Sequence, residues 1–98
     1  MFRTRFWGVR GTIACPNFDF MKFGGNTSCV TVECDSELLI FDAGTGIRSL
    51  GNHMLASKVK EASILFSHAH WDHINGFPFF KPAYSEDVKL KIFCGNLK

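Results

Sequence analysis

Three histidines and an aspartate fall within one short run, His68-Ala69-His70-Trp71-Asp72-His73. Imidazole nitrogens and a carboxylate are the donors that suit zinc and similar divalent ions. His68 and His70 are two apart, so an extended backbone aims both toward one side. Asp72 and His73 come after a turn and reach a second point nearby. Two adjacent metals would clamp a phosphate or carbonyl oxygen and lower the pKa of a bridging water. A set of ordinary surface histidines is the bland alternative, and four potential ligands at this density argue against it. His53 is the remaining histidine. It falls on neither clear face of a helix and reads as a solvated or capping residue.

The elements that must hold this loop are short strands joined by glycine-rich turns. Arg3 to Val9 alternates well enough for a first strand, and Thr12 to Gly25 is a loop carrying Pro16, Gly24 and Gly25. Cys29 to Cys34 is a second strand, with Val30, Val32 and Cys34 on one face and Thr31 and Glu33 on the other. Asp35-Ser36 makes a turn, so this strand and the next form a hairpin. Leu38-Leu39-Ile40-Phe41 is a continuous apolar run, the mark of a strand buried on both faces. It stops at Asp42-Ala43-Gly44-Thr45-Gly46, and a helix should follow with Ile47, Leu50, Met54 and Leu55 inward. Ser63 to Ser67 is a second buried strand that ends directly in the histidine loop. A short helix can begin near Ile74, after which Gly76 and Pro78 break the chain. Val88 to Cys94 is the last strand. Two fully buried strands need cover on both faces, usually from helices. One good helix and one doubtful one fall short of that, the first hint that part of the domain is missing.

The 98 residues suit a single domain, with 46% hydrophobic and 20% charged residues. Eleven phenylalanines are unusual at this length and imply a dense core or an apolar face meant for something else. The net charge of +2 is too mild to argue for nucleic-acid binding. Arg3 and Arg5 read as a solvated strand face. No run approaches the roughly 18 apolar residues of a membrane span, and the first residues lack a secretory apolar core. The cytoplasm is therefore the expected location. Cys15, Cys29, Cys34 and Cys94 form no CxxC pair, and Cys29 and Cys34 point to opposite faces of their strand. Free, mostly buried thiols are expected.

The His-x-His-x-Asp-His run resembles the signature of the metallo-β-lactamase fold superfamily. Phe6-Trp7-Gly8-Val9-Arg10-Gly11-Thr12, Gly24-Gly25-Asn26-Thr27-Ser28-Cys29, Phe41-Asp42-Ala43-Gly44-Thr45-Gly46 and Phe77-Pro78-Phe79-Phe80 are similar to one branch of it. That branch groups phosphodiesterase-like metallo-hydrolases with ribonuclease Z and cyclic-phosphate phosphodiesterases. The resemblance implies His68 and His70 as ligands of a first metal, and Asp72 and His73 as ligands of a second. It makes zinc the first choice, with manganese or iron as alternatives. Asp42 would brace the metal loop by accepting an imidazole N–H; a helix N-terminal residue or turn former is its plainer role. The Gly24–Ser28 stretch either points N–H groups at a phosphate or makes a tight turn into a strand. The resemblance tilts Asn26, Thr27 and Ser28 toward the substrate side. Phe77-Pro78-Phe79-Phe80 reads as core packing, with a substrate-facing wall or subunit contact as the alternative.

The resemblance also implies a fold class, an α/β (α+β) four-layer αββα sandwich. Residues 1–98 would be the N-terminal part of that one domain, supplying about half of it: mostly one mixed sheet plus one or two helices. The remaining metal ligands of such domains come from the other half, and the present strands would leave an apolar sheet face bare. The expected partner is that missing C-terminal half, another chain, or a second copy. The implied activity is hydrolysis of a phosphodiester or cyclic phosphate by a metal-bridging hydroxide once the C-terminal half is supplied, with Asp72 orienting the water or accepting its proton. A non-catalytic metal-binding or interaction module derived from such a hydrolase is the competing expectation.

Overall fold

The computed structural model describes residues 2–14, 24–67 and 70–94. Five strands form one sheet in sequence order: β1 (Phe2–Gly8), β2 (Cys29–Cys34), β3 (Glu37–Phe41), β4 (Glu61–Phe66) and β5 (Lys89–Cys94). The first three pair antiparallel, with β2 and β3 joined through the turn at Asp35, whose φ of 56° suits a tight hairpin. From β3 onward the pairing is parallel. Parallel neighbours need crossovers. α1 (Ile47–Ala56) supplies one, and α2 (Trp71–Ile74) with two 3₁₀ turns (Phe77–Phe79 and Lys81–Tyr84) supplies the other.

The core lies between the sheet and α1. Ile47, Leu50 and Met54 recur at helical spacing and are buried against Cys29, Ile40, Ala62 and Ile64. Phe80 completes this layer. It packs on Gly51, where an added Cβ would stand 2.9 Å from Phe80 Cδ1 and 2.9 Å from Pro82 Cδ. Leu55 is exposed rather than inward, and Gly51 takes the core position because the second crossover presses on that side of the helix. Trp7 closes the layer at β1, its indole N–H donating to Thr31 Oγ1 at 3.0 Å. Arg5 stacks over the Trp7 ring at 4.1 Å, and Arg3 pairs with Glu33 at 3.0 Å on an exposed surface.

The opposite sheet face carries no helix or strand among the described residues. Strand register aligns Phe6, Val30, Phe41, Leu65 and Phe93 in one apolar row across all five strands. Phe6 is 68% and Phe93 54% exposed. The expectation that β3 and β4 are buried on both faces is therefore corrected: Ile40 and Ile64 are fully covered, while Phe41 on the other face is exposed. An apolar run says that both faces are suited to burial, not that both are covered. β2 shows the same effect, because Cys29 and Thr31 are buried under α1 while Val30 and Val32 face the bare side. The thiols also differ from expectation: among the described residues Cys29 is buried, but Cys34 and Cys94 are free and exposed. Cys15 lies outside the described residues, as does most of the Thr12–Gly25 loop.

Candidate metal centre

Strand β4 delivers the chain to the histidine run at the carboxyl end of the parallel strands. His68 lies outside the described residues. Residues 71–74 form the single helical turn α2, so a helix ends at Ile74 where one was expected to begin. Asp72 and His73 therefore sit on helical backbone. His70 precedes this turn in an extended conformation, with ψ 147°, and its carbonyl accepts the His73 N–H at 2.9 Å.

His73 is held at both ring nitrogens. Nδ1 lies 2.9 Å from Asp42 Oδ2, and Nε2 lies 3.2 Å from Asp72 Oδ2. Asp42 reaches the site from the end of β3, where a left-handed φ of 66° turns its side chain back across the sheet. Its carboxylate also accepts the Ser67 N–H at 2.7 Å and the Ser67 hydroxyl at 2.7 Å. Asp42 thus ties the exit of β4 to α2, and its side chain is only 7% exposed. Asp42 lies against the His73 imidazole and caps neither α1 nor α2.

Asp72 Oδ2 accepts a further hydrogen bond, from the Thr12 backbone N–H at 3.2 Å. Thr12 belongs to the loop after β1 and has a φ of 72°. Neither this contact nor the role of Ser67 was singled out from the sequence. Ser67 adjoins the motif, a usable signal; Thr12 acts through its backbone, which no residue type reveals. Trp71 exposes 68% of its surface beside these ligand candidates.

Within the Gly24–Ser28 stretch, Thr27 and Ser28 bond to the loop that follows β3. Thr27 is fully buried. Its Oγ1 accepts the Thr45 N–H at 2.8 Å and lies 3.1 Å from Asn75 Oδ1, and its backbone N–H donates to Thr45 Oγ1 at 2.9 Å. Ser28 accepts the Gly44 N–H through its carbonyl at 2.8 Å. Asn26 stays exposed, its Oδ1 accepting the Thr45 hydroxyl at 3.2 Å. Three loops are thereby laced together, and two glycines allow their close approach. A Cβ on Gly44 would stand 2.5 Å from the Asp72 carbonyl, and one on Gly76 would stand 2.0 Å from the Gly44 carbonyl. The Phe77–Phe80 cluster divides: Phe80 is core, Phe77 packs against it, and Phe79 is exposed. His53 is exposed, its ring 5.5 Å from Trp7 and away from the centre.

Imidazole and carboxylate donors suit a divalent ion, and with Asp42 against Nδ1 it is His73 Nε2 that would face one. Among the described residues no three His, Cys, Asp or Glu side chains converge closely enough to enclose an ion. His70, Asp72 and His73 are brought to one loop, with His73 and Asp72 in contact.

No family model and no curated protein matches this sequence. A solved structure does: a provisionally assigned metallo-beta-lactamase from Thermotoga maritima, 18% identical, with a TM-score of 0.51. The alignment covers 91% of this chain and 42% of that one. This likeness shows the fold, a mixed five-stranded sheet with two helices that matches part of a metallo-β-lactamase-like sandwich. The chain spans less than half the length of that structure. No helix among the described residues is long and apolar enough to cross a membrane.

Proposed function

We propose that the chain is the metal-loop portion of a metallo-hydrolase that cleaves phosphodiesters or cyclic phosphates. The observation that carries this reading is His73 held between Asp42 and Asp72 at the end of β4. An imidazole whose Nδ1–H is taken by a buried carboxylate presents Nε2 as a lone-pair donor, the arrangement that orients metal-ligating histidines. His68 and His70 would hold one metal, and Asp72 and His73 a second, zinc being the first choice. Divalent ions there would polarise a phosphoryl oxygen and lower the pKa of a water. The protein's own part is to hold that geometry. Asp42 sets the His73 tautomer, and the Thr12 N–H fixes one oxygen of Asp72. Asp72 is the group that would orient a water or accept its proton.

A catalytic zinc ordinarily takes three protein ligands, and this run offers each of two ions only two. The bare apolar row from Phe6 to Phe93 and the 42% coverage of the Thermotoga structure support residues 1–98 being part of one larger domain. We therefore assign the active species a further segment, in the same or another chain, that covers this row and completes the ligand set. The test is metal content and phosphodiester hydrolysis, measured for the 98-residue chain alone and with a segment that supplies the complementary half of such a domain. Activity is expected only with the segment. Tight binding of two metals and efficient turnover by the 98 residues alone would refute the reading.

The exposed row also favours a second reading, a non-catalytic interaction module that presents this face to a partner. Light scattering separates the two: a stable monomer of the 98 residues with no tendency to associate argues against the module.

A further inference from the structure

Beside the metal centre, and distinct from it, lies an open cavity of about 460 Å³ lined by Asn26, Thr45, Arg48, Gly76 and Phe79. Its floor adjoins the centre through one residue. Ala43 donates its N–H to the His73 carbonyl at 2.7 Å and accepts the Gly76 N–H at 2.8 Å. The walls are chemically one-sided. Arg48 is the only charged lining residue and is exposed; its backbone N–H donates to the Thr45 carbonyl, while its guanidinium makes no ion pair or hydrogen bond among the described residues. Asn26 uses its Oδ1 on the Thr45 hydroxyl, which leaves its amide N–H groups for a ligand. Opposite these donors stands Phe79, 63% exposed although its neighbours Phe77 and Phe80 are packed inward. An unpaired guanidinium and a side-chain amide call for oxyanion oxygens. A bare aromatic face calls for a planar ring.

We propose that this cavity binds the non-reacting end of the substrate, a planar ring bearing an anionic phosphate, as in a nucleoside monophosphate. Arg48 and Asn26 take the phosphate oxygens, and Phe79 stacks on the ring. The inference rests on the phosphodiester reading for the ligand being part of a substrate; the binding itself requires no metal.

The test is calorimetric titration of adenosine monophosphate, adenosine and inorganic phosphate into the 98-residue protein freed of metal by chelation. Adenosine monophosphate should bind more tightly than either fragment. Arg48→Ala should weaken it about tenfold, a charge-assisted pair being lost, with Arg48→Lys intermediate. Phe79→Ala should weaken it about fivefold or more, the loss of one stacked base. Both side chains are exposed, so neither change threatens the fold, and circular dichroism verifies this. Affinity unmoved by Arg48→Ala and Phe79→Ala, or equal affinity for free phosphate, overturns the proposal. Binding that follows this pattern in a protein that takes up no metal overturns the hydrolase reading and leaves the cavity assignment standing.

Discussion

Replacement of Asp42 by asparagine tests the brace at its weakest assumption, the tautomer of His73. Asparagine has the same shape and tolerates the φ of 66° found here. Its carbonyl oxygen can still accept the Ser67 N–H, and its NH₂ can donate to the Ser67 hydroxyl in place of Oδ2. It cannot accept from His73 Nδ1, which sits 2.9 Å from that same position. The imidazole then moves its proton to Nε2 and accepts from the amide instead. All three hydrogen bonds lose the carboxylate's charge but each keeps a partner, so the folding loss should be about 1–3 kcal/mol. Metal affinity should fall as well, about 10–100-fold, because a protonated Nε2 cannot ligate. Asp42→Ala removes all three bonds, strands the Ser67 N–H and puts an alanine at the left-handed φ of 66°. Its loss should reach about 4 kcal/mol. Denaturant unfolding gives the first quantity, zinc titration the second, and ¹⁵N shifts of His73 report the tautomer. The reasoning fails if Asp42→Asn binds zinc as the parent does, or if His73 still carries its proton on Nδ1.

Further outcomes follow from the same contacts. Gly76→Ala changes no ligand, yet its Cβ would overlap the Gly44 carbonyl; a loss of about 3 kcal/mol and weakened zinc binding are expected by thermal melting and titration. Burial, and secondarily the charge of Asp42, push the Cys29 thiol up from 9.0 to about 12. The folded protein keeps this proton where the unfolded chain loses it. Stability from this group is thus complete below pH 9.0 and disappears as pH rises toward 12. Cys29→Ala should flatten that alkaline decline in pH-dependent unfolding. At pH 8 a thiol reagent should modify Cys34 and Cys94 and spare Cys29 until the protein unfolds. Phe6→Thr with Phe93→Thr should alter stability by under about 1 kcal/mol, since both rings are exposed, and should reduce self-association in light scattering. Undiminished association would show that another surface is responsible.

Much of the arrangement was legible along the chain. The spacing of Ile47, Leu50 and Met54 marks the helix and its inner face, Asp35-Ser36 marks the hairpin, and the runs ending at Phe41 and Phe66 mark the strands that carry Asp42 and the histidine loop. Such features depend on neighbours within a few residues, where side-chain periodicity and turn chemistry act directly. Asp42 could be nominated as a brace but not assigned its partner, because His73 is 31 residues away and is reached only through a left-handed turn. The Thr12 contact to Asp72 spans 60 residues and uses a backbone N–H. The cavity between Asn26, Arg48 and Phe79 likewise joins a loop, the first turn of α1 and a 3₁₀ turn. Tertiary structure alone decided which sheet face is covered. Alternation sorts Val30 and Val32 from Cys29 and Thr31, but only the placement of α1 buries the second pair and leaves the valines, Phe6 and Phe93 facing outward.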